Sequence, residues 1–392
     1  MLNKRELEEK KKYILERLKG NNFETEETNL KSTLASIIVL EQENEKLSHV
    51  RLYNFLNTVS KGKLVLKRNN DLKDKYIDIV SKLQSPIDND YLSFLLKLAE
   101  NVSKMEIEYD EDQVELNSLK LNDEKKIELS KIFFNELKNE TIKNTAHKVL
   151  SDSSHYGFTN HFSKESESIY GITVYDTVFN KPYITTQRLG NIMGLQAFNH
   201  EIMHGIDFYI GKRRFGEGYY GFHETPTYTI DYLYLDFLEK MRFDKNQVDA
   251  LRRKKLQYAS SLAKYEILGK IRTKLIHTVG IKDYKNASIE DIRNIIDDDL
   301  LKNLLELESC VIAHGLYQEI RNNERNGLSN LETVMSTLLP RNKIPDFSFI
   351  GFKQEKILEI SKNMGMIHLE KKKEVEEESK EKGEEKEDGR RI

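Results

Sequence analysis

The chain has 392 residues, 38% hydrophobic and 32% charged, a balance that excludes a wholly disordered protein and leaves room for more than one core. Its 62 basic and 65 acidic residues leave a net charge of −3, so no global field draws it to nucleic acid or to an anionic membrane. A single cysteine, Cys310, excludes an internal disulfide and any cysteine-based zinc cage.

The opening MLNKRELEEKKKYILERL is charged from its third residue and lacks the apolar core of a secretory signal. No run of about 18 apolar residues could span a bilayer. A cytoplasmic location is therefore expected. From Met1 to about Lys143 the sequence is charged, nearly free of proline, and reads as helical. Leu30, Leu34, Ile37 and Ile38 form one apolar stripe at helical spacing; Tyr91, Phe94, Leu95 and Leu98 form a clearer one, after Pro86 and a capping candidate at Asp88 or Asn89. Between about His147 and Thr186 the character changes to turn formers, aromatics and β-branched residues. There Ile172, Val174 and Val178 alternate with polar neighbours, and Asn180 to Pro182 can turn the chain into Tyr183-Ile184-Thr185, which predicts a small antiparallel hairpin.

Thr185 or Thr186 is expected to cap a helix running to about Ile210. Glycines at 211, 216, 218 and 221 then break the pattern. A second helix starts near Glu224 with Pro226 in its first turn, where proline is tolerated, and further helices are expected over residues 246–272 and 299–323. From about Glu370 lysine and glutamate alternate with almost no apolar residue, as in a solvated tail.

The chemistry is carried by Phe198–Tyr209, FNHEIMHGIDFY. His200 and His204 are one helical turn apart, so both imidazoles can reach one metal ion, and Glu201 stands directly after the first. Random placement of this composition yields the pattern in roughly 4% of such chains, so a coincidence explains it poorly. A catalytic zinc needs a third protein ligand and an open position. Glu224, twenty residues after His204 across a glycine-rich turn, can supply that ligand from the second helix. Thr227 and Asp231 share its face, which makes Asp231 a candidate to hold an imidazole through its free ring N–H; Asp207, three after His204, is its rival. Glu201 would act as general base on a metal-activated water, which implies metal-assisted amide hydrolysis. Zinc is the expected ion, though two histidines and a carboxylate also suit manganese or cobalt.

The stretches KPYITTQRLGNIMGLQAFNHEIMHGIDFY and HETPTYTIDYLYLDFLEK resemble the oligoendopeptidase F and thimet oligopeptidase family of zinc metallopeptidases. The resemblance covers residues 180–238. It implies a mainly α, zincin-like fold with a small antiparallel sheet beside the HExxH helix; with the composition changes along the chain, this gives an expected helical N-terminal lobe (1–143), a catalytic domain (144–369) and a charged disordered tail (370–392). It also implies His200, His204 and Glu224 as ligands of one Zn2+ per chain, Glu201 as base, Asp231 as a shortened equivalent of the family's second glutamate, and short extended peptides as substrates. KPYITT looks like the edge strand against which such enzymes lay a peptide.

The family steadies the transition state with tyrosine and histidine on a downstream loop, and no residue-by-residue match follows Asp231. His314 and Tyr317, on one face with Cys310 in LESCVIAHGLYQEI, are candidates, as are Tyr219 and Tyr220 in GEGYYGF. Lys212, Arg213 and Arg214 could receive a substrate carboxylate. The rival functions are a protease directed at one intact protein and a catalytically degenerate module that only binds.

Overall fold

The computed structural model describes residues 87–107, 121–153, 155–159, 170–176, 181–211, 224–282, 284–337 and 344–365, with four isolated positions near the start. The stripe at Leu30 to Ile38, the basic and tyrosine-bearing segment 212–220 and the tail lie outside the described residues. Within them the fold is mainly α, with a small sheet beside the HExxH helix.

Helix α1 (Asn89–Val102) begins where Asp88 accepts a hydrogen bond from Tyr91 N at 2.6 Å. Its stripe of Tyr91, Phe94, Leu95 and Leu98 is buried, as the spacing predicts. Helices α2 (Asp123–Glu136) and α3 (Glu140–Ser151) follow. Three strands come next: β1 (Tyr156–Thr159), β2 (Gly171–Asp176) and β3 (Lys181–Gln187), in the order β1-β3-β2. The expected hairpin is present as the antiparallel β2–β3 pair, with Thr173 opposite Ile184. β1 runs parallel to β3, so the sheet is mixed rather than antiparallel throughout. The KPYITT segment is β3, bonded on both sides, so it is the central strand and not the edge; among the described residues β1 and β2 take the two outer places.

Helix α4 (Ile192–Ile210) carries the HExxH pattern. Thr185 and Thr186 lie within β3, and the cap is Asn191, whose side chain accepts from Gly194 N at 3.0 Å. Threonine can cap a helix, but five further residues of strand and turn separate the two here. α4 packs against α3, β2 and β3 on one side and α5 (Glu224–Lys240) on the other. It therefore buries Phe198, Ile202, Met203 and Ile206 almost completely, each worth about 1.5–3 kcal/mol of transfer free energy. A Cβ on Gly205 would stand 2.9 Å from Ile184 Cδ1, so the missing side chain lets α4 settle close against β3.

α5 is in turn covered by the long helix α9, Asp298–Asn322. The helix expected over 246–272 consists of α6 (Lys245–Ser261), a π-helical stretch (Leu262–Gly269) and α7 (Lys270–Thr278). Helices α8 (Ile289–Ile295), α10 (Glu324–Ser336) and α11 (Gln354–Asn363) complete the described α-helices. Buried apolar side chains from Ile87 to Met364 form one continuous cluster, with α1, α9 and α11 packed on one another. No helix among the described residues is long and apolar enough to cross a membrane.

Candidate metal centre

Two helices build the centre. α4 supplies His200 and His204 from successive turns, with ring centroids 5.0 Å apart. α5 presents Glu224 at its first residue, so that Oε2 lies 3.5 Å from His200 Nε2 and 3.5 Å from His204 Nε2. One ligand atom from each of the three lies within 4.8 Å of the others, a group that could hold a metal ion. Ligands about 2.1 Å from a tetrahedral ion stand about 3.4 Å apart, so the spacing around Glu224 Oε2 suits such an ion better than a direct hydrogen bond. Thr227 fixes Glu224 by donating its hydroxyl to the glutamate's carbonyl oxygen at 2.8 Å and to Oε2 at 3.1 Å.

Asp231 lies beneath His200. Its Oδ2 is 3.0 Å from His200 Nδ1, which leaves Nε2 to face the ligand group. Lys255, on α6, donates to the same Asp231 oxygen. Burial pushes the Asp231 carboxyl up, but Lys255 and His200 outweigh it and hold it below the usual carboxylate range. Burial likewise pulls both imidazoles down, yet His200 ends well above its ordinary value because of Asp231 and Glu224. His204 is raised by Glu224 and Glu201 in the same way. The arrangement favours positive charge here, whether it comes from protons or from a cation. Asp207 is fully buried on α4, where its backbone carbonyl accepts from Gly211 N.

Glu201 is 7% exposed and is held from the side of β2. Thr173 donates its hydroxyl to Glu201 Oε2 at 2.6 Å and to the Glu201 carbonyl oxygen at 3.2 Å. Gly171 is the other wall: a Cβ there would stand 2.4 Å from Glu201 Cγ and 2.7 Å from Oε1. Sequence reasoning missed both, although an isolated glycine at the head of a β-branched run is a signal of close approach.

His314 and Tyr317 are brought together on α9, but with other partners. Tyr317 donates to Asp236 at 2.9 Å and stacks on Tyr232 at 5.0 Å; His314 is 3% exposed with Nε2 3.1 Å from Gln318 Nε2. Neither has a described contact with His200, His204 or Glu224. Tyr228, which the sequence did not single out, lies closer: one turn beyond Glu224, with its ring 5.8 Å from the His200 ring.

No family model matches the sequence, and no curated protein matches it. Solved structures similar to it include one from Bacillus anthracis strain Ames that carries the name oligoendopeptidase F. That structure shares 13% identity, a TM-score of 0.44, and coverage of 90% of this chain and 68% of its own. A second structure of that name, from crystals grown by microfluidic seeding, gives 12% identity and a TM-score of 0.45 over 93% of this chain and 65% of its own. A PZ peptidase A with an inhibitor gives 14% and 0.40, over 89% of this chain and 70% of its own.

Proposed function

We propose that the protein is a zinc metalloendopeptidase that hydrolyses short, extended peptides, in the manner of the oligoendopeptidase F and thimet oligopeptidase family its motif resembles. The observation that carries this reading is the meeting of two imidazole Nε2 atoms and the remote Glu224 carboxylate, beside a base already held in place. His200, His204 and Glu224 would hold the ion. A bound divalent ion would supply Lewis acidity and bring the pKa of water near neutrality. Glu201 would take the proton of the attacking water and deliver it to the leaving amine, with Thr173 fixing the carboxylate's direction. Asp231 would keep His200 in the tautomer that turns Nε2 toward the ion. Support for peptides as substrates comes from the motif resemblance and from β2, whose outer position beside Glu201 suits pairing with an extended chain.

The test is to measure bound zinc and the cleavage of a mixed quenched-peptide library, with Glu201→Gln as control. The expected result is about one zinc per chain and hydrolysis that the substitution abolishes while zinc is retained. A chain that holds zinc and cleaves nothing would instead be a binding module. Loss of zinc in Glu224→Ala alone, with the histidines intact, checks the third ligand.

A further inference from the structure

Glu306, on α9, is a carboxylate close to the metal group that the hydrolytic chemistry does not use. Its Oε1 accepts a hydrogen bond from Tyr228 OH at 3.0 Å and another from Tyr258 OH, on α6. Phenols donate hydrogen bonds but carry no positive charge, so these two contacts bring no cation to the carboxylate. Other acids of the neighbourhood are neutralised: Asp231 by Lys255, and Asp236 by Arg252 and Arg321. Among the described residues no cationic side chain pairs with Glu306.

The position of Glu306 follows from a line of contacts. His200 and Glu224 are 20% and 22% exposed at the side chain. Tyr228 and Glu306 are also partly exposed, and Tyr258 is 45% exposed, whereas Glu201, His204, Asp231 and Cys310 behind them are buried. The Tyr228 ring touches the His200 ring, and its hydroxyl reaches Glu306. Among the described residues, then, a carboxylate that no cation pairs with is bonded to two tyrosine hydroxyls and lies two side-chain contacts from His200, with Lys255 Nζ 5.7 Å from the Tyr228 ring centroid and the Tyr258 ring more exposed. Aromatic faces and a carboxylate together attract a cation.

We propose that Glu306, walled by Tyr228 and Tyr258, is an anionic subsite that receives a positively charged group of the peptide near the bond to be cut. That group is an ammonium or guanidinium, from a free N-terminus or from a lysine or arginine side chain. The proposal rests on the peptide-hydrolase reading above, and it is tested by binding so that the two can fail separately. The probe is zinc-loaded, full-length Glu201→Gln protein titrated with three fluorescent peptides: acetylated with norleucine, free N-terminus with norleucine, and acetylated with lysine. At low salt one or both cationic peptides should bind up to about fivefold more tightly than the neutral one, the value of a partly exposed ion pair, and the preference should shrink as salt rises. Adding Glu306→Gln should erase that preference at unchanged zinc content. The responding peptide identifies the source of the charge. Equal binding of all three peptides, a preference that survives Glu306→Gln, or no binding at all overturns the subsite. Wild-type protein that cleaves nothing would overturn the peptidase reading while leaving this comparison intact.

Discussion

At the scale of single residues, the candidate base is controlled by what lies under it. Glu201 is pinned by a hydroxyl on one side and by the absence of a side chain on the other. In Gly171→Ala the new methyl would collide with Glu201 Cγ and Oε1, and a flexible glutamate gives way more readily than a strand. The carboxylate should therefore move by roughly 1 Å, a displacement that can cost about a hundredfold in turnover. The expected outcome is a large loss of kcat with zinc content retained, read by peptide hydrolysis and metal analysis; a variant with wild-type kcat would show that Gly171 positions nothing. Asp231→Asn acts on the other shell. It keeps the size of the side chain but loses the charge that holds His200 and Lys255, and such partners are worth about 10–100-fold in metal affinity. Zinc competition against a chelator should show that weakening, and unchanged affinity would remove Asp231 from the site.

At the scale of elements, the HExxH helix was legible in the sequence and its supports were not. HExxH spacing and the fixed 3.6-residue turn bring His200 and His204 together whatever else the chain does. Glu224 and Asp231 could be placed by the same periodicity once a second helix was assumed. Thr173, Gly171 and Lys255 come from a strand and a third helix whose register against α4 and α5 depends on packing, which no local pattern encodes. The parallel pairing of β1 is likewise a long-range choice. The junction of α1 with α9 is a further case, because the apolar stripe of α1 was evident while its polar contact was hidden. Tyr91 OH donates to Glu308 Oε2 at 2.5 Å, and burial lifts the Glu308 carboxyl to about 8. The folded chain then holds a proton that the unfolded chain releases near pH 4.5, so this group's contribution to stability is full below that pH and is lost as pH rises toward 8. Glu308→Gln should flatten that decline, making the variant relatively more stable at pH 8 than at pH 5 in denaturant titrations. His314, which burial holds down to about 4, works in the other direction, removing stability as pH falls from 6.5. Parallel pH profiles of wild type and Glu308→Gln would refute the buried-acid account.

At the scale of the whole molecule, the candidate centre is also a joint. α4 packs on the sheet and α3 on one side and on α5 on the other, α5 packs in turn on α6 and α9, and the three candidate ligands lie where α4 meets α5. An ion bound there would engage both helices at once, and it would bind the folded chain in preference to an unfolded one in which Glu224 lies twenty or more residues from the two histidines. Ligand present at about a hundred times its dissociation constant stabilises by about 2.7 kcal/mol. For domains of 150–250 residues each kcal/mol moves Tm by roughly 2–4 °C, so a larger chain should shift by several degrees. Zinc should therefore raise the Tm of chelator-treated protein, and excess chelator should lower it again. Glu224→Ala should lose the shift because it breaks the joint from the α5 side, whereas Glu201→Gln should keep it, since the base holds no ion. That contrast separates a cation bridging two helices from one attracted by surface acids, which are far more numerous in this chain and would respond to neither substitution. A zinc-induced shift that persists in Glu224→Ala would place the ion elsewhere and leave α4 and α5 joined by packing alone.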